Sequence, residues 1–217
     1  MRRNVAGFAP DLDTEIDGVV IDCMDYIPTN KGFTAANSRQ STTLPALAAA
    51  ATGAYVGKLL DATKRLMVST ATKIYEASTS SWTDRSRVGN YSGANPTRFT
   101  MFGNFILSTN RSEVIQACPS GSNFADIAGA PAAAIIDSCA GFVMALNTSD
   151  GTYGDRPDGW WCSGLYDHTT WAPASSTQAA NGRLVDTPGA LTAGRALGRD
   201  FVAYKADSMY LGRYVGL

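Results

Sequence analysis

The chain has 217 residues, and its 18 Lys and Arg nearly balance its 19 Asp and Glu to leave a net charge of −1. With this balance, no sequence-independent electrostatic binding to nucleic acid or to an anionic membrane is expected. The length allows a hydrophobic core without disulfide or metal staples, since a chain of this size buries roughly 70% of its unfolded surface.

The first predicted element is an irregular N-terminal arm over residues 1–40, rich in acidic and turn-forming residues. Two arginines stand near its start without an apolar run behind them, so no signal peptide is predicted there. The sequence LPALAAAAT (44–52) follows and has strong helix propensity, but Pro45 and Gly53 bound it closely. It is interpreted either as a short helix or as a packed linker.

From Gly53 onward, apolar and alternating runs of four to nine residues are separated by Gly, Asn, Asp, Ser and Pro. β-branched and aromatic residues dominate these runs, a pattern typical of an all-β domain, here predicted over residues 41–217. The runs are AYVGKLL, RLMVST, TKIYEAS, RFTMF, NFILST, EVIQAC, AAIID, GFVMAL, WWCSGLY, DFVAYK and SMYLGRYVG.

Four units recur within this domain. The starts of their central runs are marked by Leu66, Phe105, Phe142 and Phe201, and an insert through DGTYGDRPDG lengthens the third unit. Trp82, Phe124 and Trp171 mark the ends of the first three units. A period near forty with about four strands per unit predicts β-propeller-like blades. An ordinary antiparallel sandwich is the alternative.

Four blades leave a propeller ring incomplete, and exposed edge strands invite uncontrolled pairing. We therefore expect either that the N-terminal arm closes the ring or that other copies of the chain cover its edges.

The sequence offers no catalytic constellation. His168 is the single histidine, so it excludes HExxH zinc sites and is interpreted as a turn residue. The oxygen-rich NTSDGTYGDRPDG is interpreted as a long surface loop, because its spacing fits no calcium loop. Cys23, Cys118, Cys139 and Cys162 lack CxxC spacing and are predicted to be reduced thiols. Catalytic, cofactor-binding and metal-binding residues are all predicted to be none.

The order of the segments carries a resemblance. IPTNKGF (27–33) is followed by TKRLMVSTATKIYEAS, by WTDRSR with Gly89 and Tyr91, and by RFTMFGNFILSTN. FADIAGAPAAAIIDSCAGFVMALNT, WCSGLYDHTTWAP and FVAYKADSMYLGRYVG complete the series. Over residues 20–216 this order resembles the tail hub or nozzle proteins of short-tailed bacteriophages, the group that includes the packaged-DNA stabilisation proteins. Members of this group usually continue past the last strand pair. The resemblance therefore implies a shortened member that keeps only the proximal, ring-forming part.

The resemblance implies a structural virion protein and not an enzyme. It implies a homo-oligomeric ring, commonly of six copies, that lies below the portal and head–tail adaptor and contacts other tail proteins. The ring would extend the DNA channel and retain the packaged DNA until ejection, without sequence-specific binding. The expected location is the virion tail, assembled in the host cytoplasm, with no membrane partner.

Two alternatives stay open. SSWTD and DHTTW weakly resemble the Asp-box turns of sialidase propellers, so a carbohydrate-binding or glycan-cleaving propeller acting as a receptor-binding tail part is one. A scaffold propeller that binds peptides in a cellular complex is the other.

Overall fold

The structure, a computed structural model, describes residues 7–8, 19–20, 24–29, 32–36, 42–92 and 95–216. Every regular element among them is a β-strand. The chain divides into two compact units, Met1–Thr42 and Thr43–Leu217. The fold is therefore all-β, as predicted. No helix of the described residues is long and apolar enough to cross a membrane.

The described residues of the first unit form short strands. β1 (Gly7–Phe8) pairs in parallel with β2 (Val19–Val20), and β3 (Tyr26–Thr29) pairs antiparallel with β4 (Gly32–Ala35). The irregular arm predicted over residues 1–40 stays a prediction. Its expected boundary between residues 40 and 41 and the predicted thiol of Cys23 lie outside the described residues.

The second unit is built from four consecutive antiparallel sheets, here numbered sheet 1 to sheet 4. Sheet 1 has the strands β5 (Gly53–Lys58), β6 (Lys64–Ser69), β7 (Ile74–Ala77) and β8 (Trp82–Asp84). Sheet 2 has β9 (Arg98–Phe102), β10 (Phe105–Thr109), β11 (Gln116–Cys118) and β12 (Ala125–Asp126). Sheet 3 has β13 (Ala132–Cys139), β14 (Phe142–Asp150), β15 (Gly154–Cys162) and β16 (Ala180–Arg183). Sheet 4 has β17 (Ala193–Leu197), β18 (Asp200–Tyr204) and β19 (Met209–Arg213).

Strand β10 shows how the apolar runs are used. Gly103 and Asn104 form the two-residue turn before it, with Gly103 at a φ of 56°. Glycine at the first central position is what a II′ hairpin turn requires. Ile106 and Leu107 then point to opposite faces of the sheet, yet both are 0% exposed. A sheet packed on both sides explains why this run is continuously apolar.

Three hydrophobic clusters join neighbouring sheets. The first contains Met67 of sheet 1 and Ile106 of sheet 2, and the second contains Leu107 of sheet 2 and Val143 of sheet 3. The third joins Leu146 of sheet 3 to Phe201 of sheet 4. The four sheets are therefore stacked in chain order like propeller blades, and we call this stack the blade series.

The first strands of the four sheets lie side by side. Extensive contacts link β5 to β9, β9 to β13 and β13 to β17. No comparable contact among the described residues links β17 back to β5. Within the described residues of the second unit, the blade series is thus an open arc, whose first and last sheets each have one face without a neighbouring sheet of that unit.

Two predictions from the sequence need correction. NTSDGTYGDRPDG is not a long surface loop, because β14 and β15 continue through it and leave only a three-residue turn at 151–153. The insert of the third unit lies instead at 163–179, between β15 and β16, so Trp171 belongs to that connection and not to a fourth strand. Gly and Asp indicated a loop, but cross-strand pairing with β14 overrode their weak β propensity.

Residues 44–52 form no helix. Pro45 cannot donate a backbone hydrogen bond, and its carbonyl accepts one from Trp82 Nε1 at 2.9 Å. At the other end, Thr52 N donates to Ser69 O. The interpretation as a packed linker is the correct one of the two.

Candidate functional site

His168 lies in a turn, as predicted, within the connection between β15 and β16. Its ring centroid is 4.3 Å from that of Phe105 and 5.6 Å from that of Phe102, both in sheet 2. Burial lowers the pKa of His168, while Asp167 opposes this with a smaller effect. The imidazole is therefore a neutral packing group at neutral pH.

Asp167 directs its carboxylate into its own turn and not toward His168. Its Oδ1 accepts hydrogen bonds from Thr169 N at 2.8 Å and Thr169 Oγ1 at 2.6 Å, and its Oδ2 accepts one from Thr170 Oγ1 at 2.6 Å. The hydrogen bonds from Thr169 and Thr170 lower the pKa of Asp167 to about 2. Its role is to fix the turn that carries His168 and the buried Trp171.

The acidic residues around the β14–β15 hairpin do not converge. Asp150 Oδ1 accepts backbone hydrogen bonds inside the turn, Asp155 pairs with Arg111, and Asp158 makes a bidentate pair with Arg183 at 2.9 Å. Within the described residues, no group of three or more His, Cys, Asp or Glu could hold a metal ion.

Three cysteines, Cys118, Cys139 and Cys162, are free and buried. Burial raises the pKa of each thiol. Protonated, buried thiols are poor nucleophiles. Cys118 and Cys139 instead donate hydrogen bonds to Ser122 O and Asp200 O, each at 3.1 Å.

A buried ion cluster joins sheets 1 and 2. Arg65, only 4% exposed, donates to Glu76 at 2.6 Å, and Arg85 donates to the other carboxylate oxygen at 2.7 Å. Burial alone would raise the pKa of Glu76, but the hydrogen bonds from the two arginines outweigh it and lower that pKa. Arg65 and Arg85 also donate to backbone carbonyls of Cys118 and Gly121 in or next to sheet 2.

Asp137 ties the inner strands together. Its Oδ1 accepts from Thr100 Oγ1 in β9 at 3.1 Å, and its Oδ2 accepts from the backbone N–H of Ala196 in β17 at 3.0 Å. Arg195 lies 3.5 Å from the same carboxylate. Burial, and then the nearby Asp137, raise the pKa of Tyr55 in β5. One carboxylate therefore links three sheets at the inner edge of the blade series.

The two outer faces of the blade series carry exposed apolar side chains. On sheet 1, Val56 is 59% exposed and pairs with Leu66 on the same face. On sheet 4, the exposed apolar side chains are Leu197, Tyr204, Met209 and Leu211. In sheets 2 and 3, the equivalent faces are buried against neighbouring sheets. The exposed faces of sheets 1 and 4 thus correspond to faces that, in sheets 2 and 3, are buried against a neighbouring sheet.

A groove of about 430 Å³ lies between sheets 3 and 4. Its volume falls in the range of ligand pockets, about 300–1,000 Å³. It is lined by aromatic and aliphatic side chains, among them Phe142, Met144, Trp160, Phe201, Tyr210 and Tyr214. The Phe142 and Tyr214 ring centroids are 5.2 Å apart, and Tyr214 Oη donates to Gln178 Oε1.

The ion cluster was missed because Arg65, Glu76 and Arg85 meet only once neighbouring strands of sheet 1 pair. Asp137 was missed because its partners lie in other sheets. The repeated units did indicate faces that need stacking, which was the available signal for the outer faces.

The comparisons with known proteins show the fold alone. No protein-family model matches the chain, and no curated protein matches it. Among solved structures, the crystal structure of the computationally designed Ika4 protein is similar with a TM-score of 0.50 and 10% sequence identity. The match covers 83% of this chain and 100% of the Ika4 chain. The class of protein defined here is thus an all-β protein of stacked, blade-like sheets.

Proposed function

We propose that this chain is a structural, ring-forming subunit of a phage tail, located at the hub or nozzle position below the portal and adaptor. The observation that supports it is the pair of outer faces at the two ends of the blade series. The order of sequence segments, which resembles the phage tail hub proteins, supplies the tail location.

The ring follows from how the sheets repeat. The outer face of sheet 4 is equivalent to the faces by which sheets 1, 2 and 3 contact the next sheet. The outer face of sheet 1 is equivalent to the faces by which the later sheets contact the preceding one. A head-to-tail contact between two copies would therefore repeat an interface that the chain already contains three times. Such heterologous contacts form a ring when the rotation closes.

The charge of the chain is compatible with a channel for DNA. Lys and Arg contacts to phosphate give strongly salt-dependent binding that would retard moving DNA. The net charge is −1, and many of the arginines are paired with Asp or Glu, including Arg65, Arg85, Arg183 and Arg213. Packaged DNA would thus pass without being held.

The test is to mix the purified chain with the portal–adaptor complex of the phage that encodes it and to image the mixture by negative stain. We expect added ring density below the adaptor. A protein that never joins the connector would contradict the tail-hub function.

The aromatic groove favours a second candidate, a carbohydrate-binding or glycan-cleaving tail part, because flat aromatic rings such as Trp160 and Tyr210 can stack on sugars. A glycan array and a hydrolysis assay on host polysaccharide separate the two. The structural function predicts blank results in both.

A further inference from the structure

We propose that the outer edge of sheet 4 binds an extended strand of another polypeptide, and that an aromatic side chain of this strand enters the groove between sheets 3 and 4. This inference concerns the edge of a sheet and not its outer face, so it holds whether or not copies of the chain form a ring.

Among the described residues, sheet 4 has one strand fewer than each of the other three sheets. Sheets 1, 2 and 3 each have four strands, whereas sheet 4 ends at β19 among the described residues. Among the described strands β19 pairs with β18 alone, and its Leu211, Gly212 and Arg213 positions are exposed. An open edge of this kind presents unpaired backbone groups to which a further strand can add.

The register of the other sheets shows what a fourth strand would bring. In sheet 1, Trp82 of β8 lies opposite Ala77 of β7. In sheet 2, Phe124 stands one residue before the Ala125–Ala117 pair, so it lies opposite Cys118 of β11. Phe124 is 2% exposed and its ring lies 6.3 Å from that of Phe99, inside the interface with sheet 1.

In sheet 3, the aromatic side chain comes from the connection before the fourth strand and not from the position next to that strand. One residue beyond the Cys162–Ala180 pair, the position opposite Ser163 holds the small Ala179, which directly precedes β16. Trp171 of the 163–179 connection is 1% exposed and joins the cluster between sheets 2 and 3. In both sheets 2 and 3, an aromatic residue that precedes the fourth strand packs against the preceding sheet.

In sheet 4, Gly212 of β19 is the equivalent of Cys118 in sheet 2, so a residue equivalent to Phe124 would lie opposite Gly212. Ile106 pairs with Cys118 in sheet 2, and Phe201 pairs with Gly212 in sheet 4 on the corresponding face. Both Phe201 and Gly212 line the groove. The groove is therefore the space that an aromatic side chain of a fourth strand would occupy, which favours a strand over a sugar as its occupant.

The chemistry of the partner follows from this geometry. Backbone hydrogen bonds to the β19 edge would supply affinity for any extended segment, and the groove would select one large aromatic side chain. The partner is thus an extended peptide segment with a tryptophan or phenylalanine as its anchor.

The probe is a fluorescently labelled synthetic peptide with the sequence of residues 79–87, TSSWTDRSR, which contains the chain's own β8. Its matched control replaces the tryptophan by alanine. Fluorescence polarisation with the full chain should show saturable binding of the tryptophan peptide, with affinity at least about tenfold higher than that of the alanine peptide.

The variant Gly212→Leu tests the position. A Cβ at Gly212 would meet its nearest atom, Phe201 O, at 3.5 Å, which is ordinary contact, so the side chain can be accommodated and would fill the groove. We expect at least about tenfold weaker peptide binding at unchanged unfolding midpoint. The unchanged unfolding midpoint checks that the leucine has not disturbed β19. Arg183→Ala, whose half-exposed side chain pairs with Asp158 and does not line the groove, is the surface control and should leave binding unchanged.

Several outcomes would overturn the proposal. They are no binding of either peptide up to about 1 mM, equal binding of both peptides, or binding that Gly212→Leu does not weaken. Self-association through β19 that the peptide does not displace, or competition by a host glycan at the groove, would also assign the site to another occupant. The polarisation signal is separate from any measurement of ring formation, so the two proposals can fail independently.

Discussion

At the scale of single residues, charged side chains add to the apolar contacts that join the sheets. Arg65, Glu76 and Arg85 form an ion cluster at the boundary between sheets 1 and 2. Removing one partner of a buried ion pair leaves an uncompensated charge, which is strongly destabilising.

Glu76→Gln should therefore lower the free energy of unfolding by about 3 kcal/mol, because two arginines lose their counter-charge. Urea unfolding followed by tryptophan fluorescence measures it. The matched control is Asp158→Asn, whose partner Arg183 has a 51% exposed side chain, and it should cost less than about 1 kcal/mol. Equal losses in both variants would show that the cluster has no special role.

His168 gives the second residue-scale prediction. Its pKa is lowered in the folded chain, so the unfolded chain binds the proton more readily. Stability from this group is complete above the ordinary histidine pKa of about 6.5 and falls as the pH drops below it, by at most about 1.4 kcal/mol per pH unit.

The measurement is the free energy of unfolding at pH 8, 7, 6 and 5 for the wild type and for His168→Phe, which keeps a ring against Phe105. The wild type should lose stability relative to the variant between pH 7 and pH 5. Parallel pH profiles would contradict a half-buried His168 whose pKa is lowered in the folded chain.

At the scale of elements, most strands could be predicted because turn residues separate each apolar run from the next. Strand β17 was missed because its sequence, AGRAL, contains no β-branched or aromatic residue. It becomes a strand through pairing with β18 and contact with β13.

The alignment of the repeats was in part wrong for a related reason. Leu66 lies on the outer face of sheet 1, whereas Phe142 faces the groove toward sheet 4. The two residues mark similar places in the sequence but opposite faces, since a strand that is apolar on both faces gives no signal of which face a residue occupies.

Glycine substitutions test how tightly the last two sheets pack. A Cβ at Gly194 of β17 would lie 2.3 Å from Leu146 Cδ1 and 3.0 Å from Phe201 Cε1. Gly194→Ala should therefore destabilise the chain by about 1–3 kcal/mol through overpacking. Gly212→Ala, two strands away in the same sheet, should have little effect because its Cβ meets only ordinary contacts. Thermal unfolding of both variants decides the matter, and a neutral Gly194→Ala would contradict the tight contact between β17 and sheet 3.

At the largest scale, the described residues of the second unit form a blade series whose two end sheets each lack one neighbouring sheet within that unit. The recurrence of similar units in the sequence predicted the stacking, because a unit that is apolar on both faces must be covered on both. The sequence could not predict where the arc opens, since that depends on the strand number of sheet 4 and on contacts between the first strands. The proposed ring rests on those two ends.

Mass photometry of the purified chain is the most direct test of the ring. We expect a discrete species several times the 22.9 kDa mass of one chain. Val56→Glu, which places a charge on the outer face of sheet 1, should be folded but monomeric. Val88→Glu, at a 101% exposed position in the connection after β8, should assemble like the wild type. A wild-type chain that stays monomeric, or a Val56→Glu variant that assembles normally, would contradict the account.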